Sequence, residues 1–324
     1  MNPLVSICVP VYNVSPYLER CVVSLMRQSY GNIEYVFIDD CSTDDSLAVL
    51  EKCVAGFPQR RANTLILRND SNHGLAYTRR KSIEEASGVY VVCVDSDDYI
   101  PEDSIQSLVD KAVETDADIV CGEVDNIRQG KYAERWRAYS PSSQSSVADA
   151  INNDFASLCA KLIKRHLFTG DFSFAPRGLD YNEDRIVCLY LSYKAKKIVP
   201  LDRVVYTYIH REGSISATRN ERLFVNMMQY WQFAEQYLQT VGLGEKYREL
   251  VAKNKVKDKA YLLLHTDDMS VRKRFADIYL AETAKYRHTL HGGARMILEL
   301  VSRHLWVLVN CFQAYIRVYK KLHK

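Results

Sequence analysis

Through its first 125 residues the chain alternates short apolar, β-branched runs with helical patterns, and each strand-like run is followed at once by polar residues. Residues 5–9 read as a buried strand stopped by Pro10. Ser15 is placed to cap a helix with Pro16 at its first position and Leu18, Val22 and Leu25 at helical spacing. Strands are predicted over 35–38, 64–67, 90–94 and 118–121, with helices following Ser42–Asp45 and over 75–86 and 101–114. Strand–helix units of this length need right-handed crossovers, hence an α/β, mainly parallel sheet flanked by helices. Ligands of such sheets bind outside the carboxyl ends of the strands. The residues standing there are Pro10, Val11, Tyr12 and Asn13; Asp39, Asp40, Cys41 and Ser42; Asn72, His73 and Gly74, opening a helix that carries Arg79; and Asp95, Ser96, Asp97 and Asp98.

The pattern fades over 126–146, where 140–146 is a serine-rich surface loop. It resumes near Ala156, with strands expected around Val199 and over 204–209. Past Glu221 nearly everything reads as helix: 224–238, 245–264, 271–286 and 294 to the end. Two regions follow: 1–216, divided into a ligand-binding part (1–125) and a second part (126–216), and a helical region over 217–324. The 43 Lys and Arg against 40 Asp and Glu leave a net charge of +3, which gives no reason to expect nucleic acid as a partner. That balance is segregated: residues 1–125 hold 10 basic and 21 acidic side chains, and residues 126–324 hold 33 and 19.

The basic excess culminates in a C-terminal pattern. Met296, Ile297, Leu300, Val301, Leu305, Leu308, Val309 and Phe312 recur near helical spacing, while Arg295, Arg303, Arg317, Lys320, Lys321 and Lys324 face only Glu299. Such a basic amphipathic helix fits peripheral contact with an anionic membrane, at the inner face of the cell membrane, or packing on protein. No apolar run reaches about 18 residues, and the first residues lack a secretory pattern. The nine cysteines include no CxxC spacing, so a reducing cytoplasm is expected rather than a disulfide framework or a zinc cluster.

Asp95, Asp97 and Asp98 lie within four residues, and carboxylates so close raise one another's pKa unless a cation neutralises them. Their hard oxygens suit Mn²⁺ or Mg²⁺, which keep open positions for substrate phosphates. The same stretch reads equally as an acidic turn whose last Asp caps the next helix. No GxGxxG follows the first strand and no GxxxxGK[ST] occurs, which disfavours dinucleotide and P-loop sites.

Together, residues 5–13, residues 38–44, Asn72-His73-Gly74-Leu75 with Arg79, and residues 94–98 resemble, in order, the motifs of family 2 glycosyltransferases. The resemblance is dense over 4–125, thinner to 216, and implies a GT-A fold with inverting transfer from a nucleotide sugar. It implies that Pro10, Val11, Tyr12 and Asn13 line the base pocket, and that Asp40, with Asp39, hydrogen-bonds the base of a UDP-sugar. Asn72 and Gly74 would belong to the nucleotide-sugar site, and Arg79 would reach the nucleotide or its diphosphate. Asp95-Ser96-Asp97 would be the DxD motif, with Asp97 the foremost metal ligand, Asp95 and Asp98 beside it, and His210 an outlying candidate. Tyr206, Tyr208, His210, Arg211 and Ser214 resemble a loop that closes over the donor.

Glu183-Asp184 resembles the family's ED motif, with Asp184 as the base that takes the acceptor's proton and Glu183 orienting the acceptor. Asn182 to Asp184 also stand where they could cap the helix through Val187, Tyr190 and Leu191. The lack of QxxRW and of membrane spans implies a non-processive enzyme of bacterial type. The product expected is a hexose or N-acetylhexosamine joined to a glycan hydroxyl, free or lipid-linked, in cell-surface polysaccharide biosynthesis. Where many relatives have Ala-Arg-Asn, this chain has Thr78-Arg79-Arg80. A sugar nucleotidyltransferase ranks lower, because Pro10-Val11-Tyr12-Asn13 stands where those enzymes carry a Gly- and Arg-rich loop. An inactive nucleotide-binding scaffold is opposed by the intact acidic motifs.

Overall fold

β1 (Val5–Val11) is buried over its whole length and bonded on both edges, as its mostly apolar run requires. In the computed structural model, which describes residues 2–139, 141, 145–170, 173–176, 178–179, 181–211 and 221–322 (the backbone alone for 317–322), it is the axis of an eight-stranded mixed sheet. β2 (Ile33–Asp39) lies parallel on one side of β1 with β3 (Thr64–Arg68) outside it, and β4 (Tyr90–Cys93) lies parallel on the other side. α1 (Ser15–Met26), α2 (Ser46–Ala55), α3 (Pro58–Arg61), α4 (Leu75–Glu84) and α5 (Ser104–Thr115) follow these strands as crossovers.

Beyond β4 the sheet departs from simple alternation. β5 (Ile119–Arg128) and β6 (Lys131–Arg137) form an antiparallel hairpin through Gln129 and Gly130, both at positive φ (49° and 75°). This occupies most of the stretch in which the sequence pattern fades. Six of the seven β6 residues are exposed, so no apolar alternation marks it. After α6 (Ser146–Ile151), β7 (Lys161–Lys164) inserts antiparallel between β4 and the start of β5. After α7 (Glu183–Lys194), β8 (Ile198–His210) runs parallel along β5 as one bulged strand, where two were expected. The serine-rich loop at 140–146 lies largely outside the described residues.

Ser15 is not a cap: it is the first helical residue of α1, and the Asp44 carboxylate and Ser46 hydroxyl accept the Ser15 and Val14 N–H groups (3.1 and 2.8 Å). The chain forms two compact units, Met1–Ser214 and Ile215–Lys324. The second holds α8 (Glu221–Thr240), α9 (Gly244–His265), α10 (Met269–Arg274), α11 (Leu280–Tyr286), α12 (Gly292–Ser302) and α13 (Trp306–Leu322). Its core includes Phe224, Tyr230, Trp231 and Leu263. The helices expected over 271–286 and from 294 onward are each broken, and Tyr279 and His304 take φ of 53° there. Buried Lys259 steadies the first break by donating to the Ala276 and Ile278 carbonyls (2.6 and 2.7 Å). Among the described residues no helix is long and apolar enough to cross a membrane.

Candidate active site

The ends of β1 and β2 are tied together by side chains. Asn13 takes a positive φ of 46°; its Oδ1 accepts the Thr43 N–H (2.8 Å) and its own N–H donates to Ser42 Oγ (3.1 Å). Asp39 is fully buried, accepts the Ser42 N–H and pairs with Arg68 of β3 (3.2 Å). Asp40, also buried, accepts from Asn69 Nδ2 (2.7 Å), His73 N (3.0 Å) and Gly74 N (2.8 Å). Gly74 meets it at φ 86°, a backbone setting that glycine tolerates best. Asp40 thus fixes the turn that opens α4. Pro10 and Val11 are buried in the strand, whereas Tyr12 is 45% exposed and Asn72 lies open. Of the residues expected to line a base pocket, Tyr12 and Asn13 present themselves, while Pro10, Val11, Asp39 and Asp40 shape the loops from beneath.

After β4 the three aspartates take separate settings. Asp95 Oδ1 accepts from Arg79 Nη2 (3.0 Å) and Oδ2 from the Cys159 thiol (3.4 Å). Asp97 pairs with Arg211 Nε (2.5 Å); burial first, then the charge of Asp95, raises its pKa. Asp98 is fully buried, and its oxygens accept from Tyr206 OH and Ile209 N (2.7 Å each), so it braces the loop against β8. Ser96 is buried between them. With both oxygens so engaged, Asp98 is the poorest placed of the three to meet an ion. Asp95 and Asp97 are the fitting pair: two hard carboxylates, one of them with raised proton affinity, each balanced by an arginine.

His210 stands apart from this pair. It is opposite Arg128 across the β5–β8 ladder, edge-on to Tyr208 (4.9 Å), and burial and then Arg128 lower its pKa. Its neighbour Arg211 is the one that reaches Asp97, and successive strand residues point to opposite faces. Among the described residues no group of three or more His, Cys, Asp or Glu is placed to hold a metal. Ser214, expected in the same loop, lies outside the described residues.

Glu183 and Asp184 open α7, with Asn182 before them in the left-handed region (φ 71°). Glu183 is buried, and its Oε1 accepts from the same Arg79 Nη2 that serves Asp95 (3.2 Å). Arg79, expected to reach the nucleotide or its diphosphate, is 5% exposed and joins Asp95 to Glu183, with Nε and Nη1 lacking hydrogen-bond partners among the described residues. It lies in the second turn of α4, on the face turned to the sheet. Glu183 is raised to about 8, by burial and then by Asp184, with Arg79 opposing. Burial also raises Asp184, which remains partly exposed and accepts the Arg185 N–H (2.9 Å). A partly exposed acid of raised proton affinity can take a proton.

Two contributors had no motif to announce them. Cys159 reaches Asp95, and buried Lys161, whose Nζ donates to the Ala138 carbonyl (2.8 Å), adds positive charge near Asp184. Only the insertion of β7 brings them to the site.

Residues 6–172 match the family described as Glycosyl transferase family 2. Glycosyltransferase GlyG of Streptococcus pneumoniae is 31% identical over 67% of this chain and 74% of its own length. Glycosyltransferase GlyA of the same organism is 30% identical over 67% of this chain, but only 32% of GlyA is spanned. The uncharacterized glycosyltransferase EpsJ of Bacillus subtilis is 38% identical over 67% of this chain and 64% of itself. Among solved structures, S. aureus TarS 1-349 in complex with UDP-GlcNAc superposes with a TM-score of 0.59 at 20% identity, covering 93% of this chain and 92% of that one. The mannosyltransferase PcManGT from Pyrobaculum calidifontis, in complex with GDP-Man and Mn²⁺, gives 0.54 at 16% identity over 99% and 88%. At these identities the structural likeness speaks for the fold.

Proposed function

The chain belongs to glycosyl transferase family 2, and we propose that it moves a hexose or N-acetylhexosamine from a UDP-sugar to a glycan hydroxyl with inversion at the anomeric carbon. The acceptor we assign is a glycan, free or lipid-linked, of a cell-surface polysaccharide. The observation that carries the reading is the bridge from Asp95 through Arg79 to Glu183, which gathers the strand-end acids and the Glu183-Asp184 pair at one sheet edge. A UDP donor is supported by the TarS complex with UDP-GlcNAc.

Asp95 and Asp97 are the residues that would hold Mn²⁺ or Mg²⁺, and the ion would supply positive charge to the departing diphosphate. Tyr12 and the loop held by Asn13 offer the base a face and backbone groups. Asp184 accepts the acceptor's O–H proton while that oxygen forms its bond to the anomeric carbon; the bond to the diphosphate breaks on the opposite face, and UDP departs with the electron pair. Glu183 keeps Arg79 in place beside Asp95. The domain assignment proposed is catalysis by 1–216 and a helical adjunct over 217–324.

The test is UDP release from a panel of UDP-sugars with Mn²⁺, with and without a lipid-linked glycan. Asp184→Asn should retain UDP binding and lose transfer by about 10²–10⁴-fold, the span usual for a general base. Full transfer by that variant would remove Asp184 from the role. Pyrophosphate formed from a sugar phosphate and UTP would identify a nucleotidyltransferase instead.

A further inference from the structure

We propose that the outward face of α13 docks on an anionic lipid bilayer, holding the protein at a membrane surface without crossing it. The inward face of α13 is already satisfied: Val309 and Gln313 are buried, and the Gln313 side chain donates to the Leu263 and Leu264 carbonyls of α9 (3.4 and 3.2 Å). A helix seated this way ordinarily turns polar residues to water. Here Val307 is 75% exposed and Leu308 50%, with exposed Cys311 and Ala314 continuing the same face at helical spacing. The helix is therefore apolar on two sides, and only one has a partner within the unit.

Charge names the occupant. From Leu300 to Lys324 the chain has five Lys and Arg and no Asp or Glu. Arg303, just before α13, is 69% exposed while pairing with Glu299 one turn earlier (3.5 Å), and Lys320 and Lys321 lie near the far end of α13. An exposed apolar stripe with cationic residues at both ends matches a surface of acyl chains beneath anionic headgroups. A second copy of the chain fits less well, because a two-fold pairing of α13 would set the basic ends of the two helices against each other. No described helix is long and apolar enough to cross a membrane, so the contact is interfacial.

The experiment is co-sedimentation of the full chain with vesicles of phosphatidylcholine alone and with about a third phosphatidylglycerol. The expected result is binding to the anionic vesicles only, weakened as salt rises. Val307→Asp with Leu308→Asp should lower that partition by at least about tenfold with an unchanged circular dichroism spectrum, because both positions are solvent-facing. Should that variant fold poorly, Arg303→Ser with Lys320→Ser and Lys321→Ser tests the charge separately and should also weaken binding. The proposal is overturned by no sedimentation with anionic vesicles at low salt, or by equal binding to neutral ones. It is equally overturned by a dimer in light scattering that the Asp variant dissolves, which would make a second copy the occupant.

Discussion

Arg79 shows how one buried cation can hold two acids that would otherwise repel. Removing a guanidinium from water costs several kcal/mol, and only close partners offset it. Burial alone would lower the pKa of Arg79, yet Asp95 and Glu183 push it up, so the charge stays. Because a single nitrogen serves both acids, Arg79→Met would leave both without their donor and Asp95 without its cation. The expected loss is about 3–5 kcal/mol in urea unfolding. Adding Glu183→Gln should change this loss little, since without Arg79 the buried Glu183 is held as the neutral acid that Gln resembles. Glu183 also predicts a pH dependence. Its folded pKa of about 8 lies above its ordinary 4.5, raised by burial and by Asp184 of the same helix, with Asp95 adding and Arg79 of α4 opposing. An acid raised in this way favours the folded state while protonated; that stability is full below about 4.5 and is lost as pH climbs through about 8. Melting temperature should therefore fall between those limits more steeply in the parent protein than in Glu183→Gln. Parallel curves for the two would show that Glu183 ionises normally.

Among the elements, the β5–β8 ladder depends on a missing side chain. A Cβ at Gly122 would stand 2.3 Å from Val205 Cγ2 and 3.2 Å from the Arg203 carbonyl, at a point where the register shifts. Gly122→Ala should cost about 1–3 kcal/mol by overpacking, and Val205→Ala in the same chain should restore much of it, as unfolding midpoints would show. An unrelieved loss in the double variant would place the strain in the backbone instead. This half of the sheet was also the less legible one. β1, β2 and β4 are largely buried and announce themselves as mostly apolar runs. β6 is exposed and charged, and β7 is four residues long, so neither carries a period. The breaks near Tyr279 and His304 fall within helical apolar spacing and carry no Gly or Pro to mark them. At the site, the acids could be read at their strand ends because local order alone brings them there. Their partners could not: Arg79 meets Glu183 across 104 positions, and Arg211 meets Asp97 across 114. Such pairs follow from how α4, α7 and β8 are assembled.

Taken whole, the molecule keeps its acids and bases apart, with residues 1–125 at 10 basic to 21 acidic and the remainder at 33 to 19. In the acidic part, Asp95 and Asp97 are matched by Arg79 and Arg211, so the site is nearly neutral before any ligand arrives. A nucleotide diphosphate brought there alone would add negative charge beside two carboxylates. A divalent cation brought with it would meet those same carboxylates and cancel the addition. The two ligands should therefore bind with positive coupling, and each should stabilise the fold through the other. UDP with Mn²⁺ at a hundredfold over the dissociation constant should contribute about 2.7 kcal/mol of stability, whereas UDP alone should raise the melting temperature far less. Asp97→Ala should abolish the difference between the two conditions, and calorimetry should show UDP binding that no longer depends on Mn²⁺. If UDP alone stabilises the parent chain as much as the pair does, the carboxylates hold no cation for the donor, and Arg211 becomes the charge that meets the diphosphate.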